Sequence, residues 1–194
     1  MRTRLYNDGK VDYQVLRDNN AWPDHQLRTL VTAGLIAWKK PESIIDPACG
    51  DGSIVLESMK LHRPNKVVLS DISSKSIASI AEKKKPSKNT VIKVQDIVDA
   101  LTGPESFDLV VLSETLEHLG NPDTILSMAR DKGTMLIASS PQMRKAQVDS
   151  NKEHLWMFDA EGYRGMLMKA GWDPINKTTL EFKSEYDFQI WVCT

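Results

Sequence analysis

The chain has 194 residues, 41% hydrophobic and 26% charged, with a formal net charge of -1. These are the values of an ordinary globular protein with enough chain for one packed α/β domain and too little for a comfortable second. The near-neutral balance excludes a global electrostatic footprint for nucleic acid, although a local basic patch is left open. Cys49 and Cys193 form neither a disulfide framework nor a metal spacing, and no apolar run reaches the length of a membrane span or forms the core of a signal peptide. A cytoplasmic protein in a reducing compartment is expected.

Asn7, Asp8 and Gly9, between Leu5, Tyr6 and Val11, Tyr13, predict a hairpin or loose turn. Trp22, Pro23 and Asp24 read as a helix start, and Leu27, Leu30, Val31, Leu35 and Trp38 recur at helical spacing up to Pro41. Residues 1–40 are thus expected to be an N-terminal helical or lid segment, ahead of a core over 43–194 in the same single domain.

The stretch 43–55, SIIDPACGDGSIV, reads as a buried strand, a tight turn and an amphipathic helix. Gly50 and Gly52 let the backbone turn sharply and let a ligand approach, and Asp46 stands at the strand's carboxyl end, where open α/β sheets bind ligands. A dinucleotide fingerprint needs a third glycine where this chain has Val55, which weakens a nicotinamide reading. A second strand, 66–70, ends at Asp71, about 20 residues beyond the glycines, where Rossmann-like folds set an acid on ribose hydroxyls.

Ser73 or Ser74 caps a helix to about residue 84, and Lys83, Lys84, Lys85 and Lys88 complement its dipole as a solvated cluster. Strands at 90–94, 107–113 and 134–140 follow, with Gln95, Asp96 and Ile97 after the first of these and a helix at about 122–130 between the other two. Residues 141–156 read as a loop, Asp159 caps a helix that Gly171 closes, and two strands, 174–182 and 186–193, finish the chain. Short apolar strands joined by crossovers demand a parallel sheet covered on both faces. The expected fold is α/β and Rossmann-like, with a seven-stranded, mostly parallel sheet, a C-terminal antiparallel hairpin and helices on both faces.

The glycine stretch resembles motif I of the class I S-adenosylmethionine-dependent methyltransferases, with Ala48 in place of the motif's first glycine. The string FDLVVLSETLEHLGNPDTIL resembles the region after the fourth strand of small-molecule O-methyltransferases of the ubiquinone-pathway kind. NKEHLWMFDAEGYRGMLMKAGW is similar to the family's later segment, where a His or aromatic loop precedes a helix with an A-G-aromatic end. The resemblance runs from about residue 43 to the end of the chain. It implies that S-adenosyl-L-methionine lies against Asp46, Ala48, Cys49, Gly50 and Gly52. Asp71 would hold the ribose, Asp96 the adenine amine, Ile72 and Ile97 the faces of the ring, and Ser113 and Glu114 would complete the pocket. Ionised carboxylates suit both polar roles, since a diol and an amine each offer donors.

Methyl transfer to a hydroxyl needs an aligned nucleophile and a base, and His118, His154 and Glu114 are the candidates. Tyr6, Tyr13, Trp22, Trp156 and Phe158 could roof the acceptor site or simply cover the core. His25 and His62 read as surface residues. The acceptor is expected to be a small molecule. The DPACG spelling is also seen in DNA adenine methyltransferases, but 113–116 read S-E-T-L in place of a base-flipping motif, and Ser140, Pro141 and Gln142 come one strand too late.

The alternative acceptor is RNA. Glu114, Glu117 and His118, at i, i+3 and i+4, would lie on one face of a helical turn. With His154 they resemble the divalent-metal set of plant small-RNA 2′-O-methyltransferases, although the interval from His118 to His154 is shorter here and those enzymes' RNA-binding modules are absent. The reading adopted is that no metal is held and that Glu117 and His118 orient the cofactor loop and pack beneath the sheet. A catalytically silent binding module and a nicotinamide oxidoreductase are the remaining alternatives. Asp46, Gly50, Gly52 and Asp71 weigh against the first, and Val55 against the second.

Overall fold

The computed structural model describes residues 1–4, 22–83, 86–144, 151–182 and 187–194. In chain order the first half is β1 (Arg2–Arg4), α1 (Pro23–Lys39), β2 (Ser43–Asp46), α2 (Ser53–Ser58), β3 (Lys66–Asp71), α3 (Ser74–Lys83), β4 (Thr90–Val94) and α4 (Ile97–Thr102). The second half is β5 (Phe107–Ser113), a 3-10 turn (Leu116–His118), α5 (Pro122–Lys132), β6 (Gly133–Gln142), β7 (Trp156–Phe158), α6 (Ala160–Lys169), β8 (Pro174–Leu180) and β9 (Asp187–Cys193). The turn expected at 7–9 lies outside the described residues, as do Tyr6, Tyr13, Lys84, Lys85 and Tyr186.

Successive side chains in a strand point to opposite faces, so a strand covered on both sides must be apolar throughout. Ile44, Val67, Leu69, Leu109, Val111, Ile137, Ile190 and Val192 face one way, under Ile36 of α1, Val55 of α2 and Ile77 and Ile80 of α3. Their chain neighbours Ile45, Val68, Val110, Leu112, Leu136, Ala138, Trp191 and Cys193 face the other, under α4, α5 and α6. Each fully buried aliphatic side chain is worth about 1.5–3 kcal/mol of transfer free energy, which fixes the strand register.

The sheet has nine strands in the order β1-β7-β6-β5-β2-β3-β4, with β9 antiparallel on β6 and β8 on β9. Seven of these are the expected strands, β9 being the one that runs against the rest. The two additions are short: β1 pairs antiparallel with β7, and β7 meets β6 at a single register pair, Gln142↔Phe158. Part of the expected N-terminal helical segment is therefore a strand, and Trp156 belongs to β7 rather than to the loop before it.

The buried face of α1 coincides only in part with its apolar stripe: Val31 and Leu35 are half-buried against the core. Arg28, Thr29, Thr32, Ala33 and Ile36 are buried, whereas Leu27, Leu30 and Trp38 are exposed. Small side chains at 29, 32 and 33 let the helix approach the sheet closely, so packing overrides the stripe. Among the described residues no helix is long and apolar enough to cross a membrane.

Successive strands from β2 run outward one way to β3 and β4, and from β5 the other way to β6. The order reverses between β2 and β5. In open α/β sheets the crevice outside the strands' carboxyl ends at such a switch point is where ligands bind.

Candidate active site

A cleft of about 730 Å³ opens at that point, and Asp46, which ends β2, and Ser113, which ends β5, both line it. Its floor is the turn 46–52. Cys49 N–H donates to Ser70 O at 2.9 Å and Gly52 N–H to Cys49 O at 2.8 Å. Gly50 and Gly52 have φ of 53° and 69°, the left-handed region that side chains resist. A Cβ on Gly50 would stand in open space, while one on Gly52 would lie 3.1 Å from Ile80 Cδ1. The two glycines thus serve different ends, Gly52 close packing and Gly50 access.

Asp71 binds the turn to the next strand. Its Oδ2 accepts Gly50 N–H and its Oδ1 accepts Ser73 N–H, both at 2.8 Å. Asp96 caps α4 by accepting Val98 N–H at 2.8 Å, and Ile72 and Ile97 line the same part of the cleft, with Ala48 and Cys49 on the turn itself. Asp46 is buried and its carboxyl pKa is pushed up to about 8, first by burial and further by the charge of Asp71. Burial also pushes the Cys49 thiol well above its ordinary value. Asp51, absent from the sequence reading, accepts Ser53 N–H at 3.0 Å and Ser53 Oγ–H at 2.7 Å and so starts α2.

The opposite wall hangs from the carboxyl end of β5. Glu114 has φ 51°, and the helical turn begins only at Leu116. The i, i+3, i+4 spacing therefore does not place Glu114 beside Glu117 and His118. Its Oε1 instead accepts Ser139 Oγ–H at 2.9 Å and lies 3.6 Å from Arg28 Nη1. Of the four candidate ligands of the alternative reading, Glu117, His118 and His154 each bring one ligand atom within 4.8 Å of the others, and Glu114 is not part of that group. His118 and His154 meet edge to face with centroids 4.8 Å apart. Leu155 N–H donates to Glu117 O at 2.7 Å, which ties the 151–155 segment to the 3-10 turn.

Hydrogen bonds set the ring nitrogens. Glu153 O can only accept, so the 3.0 Å contact makes His118 Nδ1 a donor and orients the ring. His154 Nε2 lies 3.1 Å from Asn151 Nδ2, an amide donor, and so accepts.

The third side comes from α1 and β9. Arg28 Nη1 donates to Ser113 Oγ at 3.2 Å, Nη2 meets His25 Nδ1 at 3.2 Å, and the guanidinium lies 5.3 Å from the Phe188 ring centre. His25 is thus part of the cleft rather than the surface, its pKa lowered by burial and then by Arg28. His62 is half-buried, 2.9 Å from Pro41 O through Nε2. Of the expected aromatic roof, Trp22 lines the cleft. Phe158 is buried against Tyr163, and Trp156 donates its indole N–H to Leu119 O at 2.8 Å. Arg28 and Phe188 were not found from the sequence. A charged residue at i, i+4, i+8 with Thr32 and Ile36 was the available signal.

The model of a methyltransferase domain matches residues 22–177. The chain belongs to that family. Its fold is that of the class I S-adenosylmethionine-dependent methyltransferases. The N-methyltransferase NodS from Bradyrhizobium japonicum WM9, solved with S-adenosylhomocysteine, has TM-score 0.71 and 16% identity, over 92% of this chain and 93% of that one. Magnesium protoporphyrin IX methyltransferase from Synechocystis PCC 6803, solved with S-adenosylmethionine, gives 0.67 and 17% over 97% and 86%. An O-methyltransferase family protein from Burkholderia thailandensis gives 0.67 and 14%, over 86% of this chain but 55% of that one. No curated protein matches the sequence.

Proposed function

We propose that this methyltransferase domain binds S-adenosylmethionine in the cleft and transfers a methyl group to an oxygen or nitrogen of a small molecule, with His118 as the base. The observation that carries the reading is one cleft holding both the Asp71–glycine cradle and His118, whose ring is oriented by Glu153 O through Nδ1. The open space at Gly50 suits close approach of the cofactor, and Ile72 and Ile97 suit a flat ring. Asp71 would accept from the ribose diol and Asp96 from the adenine amine.

Once bound, the cofactor supplies a methyl group made electrophilic by its sulfonium. The protein's part is to align and desolvate the acceptor and to take its proton. His118 suits that step, because Glu153 O fixes its ring in the cleft through Nδ1. Glu114 is engaged by Ser139 and Arg28, and His154 Nε2 by Asn151. The cleft volume is in the range of small-molecule sites.

A second reading rests on the three-ligand group. A carboxylate and two imidazoles suit a divalent cation, which Glu117, His118 and His154 would hold to gather the hydroxyls of a diol acceptor, an RNA ribose included. Calorimetric titration with S-adenosylhomocysteine, with and without Mg²⁺ or Mn²⁺ and with NAD as control, is the first test. Micromolar binding of S-adenosylhomocysteine with NAD inert is expected, and no binding would end the cofactor reading. Methylation abolished by a chelator and restored by Mn²⁺ or Mg²⁺ would favour the cation over His118 acting alone.

A further inference from the structure

We propose that the outer face of α1 is a self-association surface, on which two copies of this chain pair as antiparallel helices about a two-fold axis. The face is apolar where solvent favours polar residues: Leu27, Leu30 and Trp38 are 44%, 56% and 62% exposed. With Gly34 between the last two, they follow one another at helical spacing and form a single stripe along the 17-residue helix. Apolar side chains scattered singly on a surface need no explanation, whereas a contiguous stripe marks a contact surface. A Cβ added at Gly34 would meet nothing within 4 Å, so the gap in the stripe opens outward and is not filled by the chain's own packing.

The occupant is a second copy because the stripe complements itself. Reversing the helix about the point midway between Leu30 and Gly34 sets Leu30 of each copy over Gly34 of the other, a knob against a hole. The same register brings Trp38 of each copy level with Gln26 and Leu27 of the other. Gln26 and Leu30 edge a cavity of about 940 Å³ whose lining includes Leu56 and Met59, which is room for an indole ring. Charge follows the register too. Asp24 stands in the first turn of α1 and Lys39 in the last, with Lys40 next to it. Lys39 Nζ lies 5.0 Å from the Trp38 ring centre, which keeps its charge at that end of the stripe. Antiparallel pairing brings Asp24 of each copy level with Lys39 and Lys40 of the other and holds like charges about 22 Å apart, by the rise of a helix. Parallel pairing would set Asp24 beside Asp24 and Lys39 beside Lys39. The inner face of the same helix supplies His25 and Arg28 to the cleft, so the pairing braces one wall of each cleft. A helix about 25 Å long buries less than the roughly 800 Å² per partner of a standard interface, so the dimer is a weak, micromolar one.

Sedimentation velocity on the full chain, from about 1 to about 200 µM to span weak association, is the test, with urea unfolding of each variant as the control for folding. The wild-type chain is expected to pass from one copy to two across that range. Gly34→Gln places a good helix former in open space, so the single copy should fold at least as well, while the new side chain fills the hole and should weaken pairing at least about 10-fold. Leu30→Glu, which removes the knob, should weaken it likewise. Asp24→Lys, and separately Lys39→Glu with Lys40→Glu, should each weaken it about 3- to 10-fold, and mixing the two variants should restore it, since both ends then join opposite charges. A wild-type chain that stays single across the range overturns the pairing and leaves the face to another occupant. A dimer that neither Gly34→Gln nor Leu30→Glu weakens overturns it as well, because the copies then meet through another face. Charge variants that pair as tightly as the wild type overturn the antiparallel register.

Discussion

The floor of the cleft and its wall are assembled over different distances in the chain. On the floor, Asp71 reaches back 21 residues to the amide of Gly50 and two residues on to that of Ser73. On the wall, His118 bonds a carbonyl 35 residues later, and Ser113 is met by an arginine 85 residues earlier. The floor is backbone turned by local rules and pinned by one carboxylate. The wall is a set of side chains that depends on the packing of α1, β6, β9 and the 151–155 segment. The floor is thus suited to holding a ligand common to a family, and the wall to varying the acceptor and its chemistry.

If that division holds, changes in the wall should alter rate and changes in the floor affinity. The largest expected effect is His118→Ala, which should lower kcat by about 10²- to 10⁴-fold, the range for a lost general base, with S-adenosylhomocysteine affinity unchanged. Initial rates and calorimetry on the same preparation decide it, and a parallel fall in affinity would erase the distinction between floor and wall. Asp71→Ala comes next, with cofactor affinity weakened by about 1–3 kcal/mol from lost charged hydrogen bonds. Because Asp71 also pins Gly50, that loss should exceed the one in Asp96→Ala, whose described hydrogen bond is a helix cap.

The glycines sharpen the picture within the floor. Gly52→Ala forces a left-handed φ and sets a Cβ 3.3 Å from both Leu56 and Leu69 Cδ1, so it should lower stability by about 2 kcal/mol in urea unfolding. Gly50→Ala, with open space around its Cβ, should cost less stability and more cofactor affinity. Equal stability losses would show that the two glycines do one job.

The same contrast explains what the sequence could reveal. Buried strands and the glycine turn are local patterns, and β2, β3, β5, the floor residues and the Asp159 cap were legible as such. The pair β1 and β7 was not, because two three-residue strands at opposite ends of the chain carry no periodic signal. At Glu114 the spacing misled, since a left-handed residue breaks the helical geometry it assumed. On α1 only Val31 and Leu35 of the apolar stripe pack against the core while Leu27, Leu30 and Trp38 are exposed, and nothing in that pattern marked Arg28 as a cleft residue. Phe188 stood inside an apolar strand with nothing to separate a cleft-lining ring from a core one.

The smallest effect concerns Asp46, the floor residue whose charge burial suppresses. Its carboxyl is raised from 3.8 to about 8, so near neutrality the folded protein keeps a proton that the unfolded chain has released. Stability contributed by Asp46 is therefore greatest at low pH and falls as pH rises from about 4 toward 8, with a slope of at most about 1.4 kcal/mol per pH unit. Asp159 and Asp187, whose pKa values are lowered, are ionised in both states across the upper part of this window, whereas His25, lowered by burial and then by Arg28, contributes a slope of opposite sign below about pH 7. Thermal unfolding at pH 6 and 7 isolates Asp46 as a difference: the Tm of the wild-type chain relative to that of Asp46→Asn should be lower at pH 7 than at pH 6, because His25 is common to both. A pH dependence identical in the two proteins would mean that Asp46 is ionised in the fold, and the floor would then carry two neighbouring negative charges, Asp46 and Asp71, instead of one.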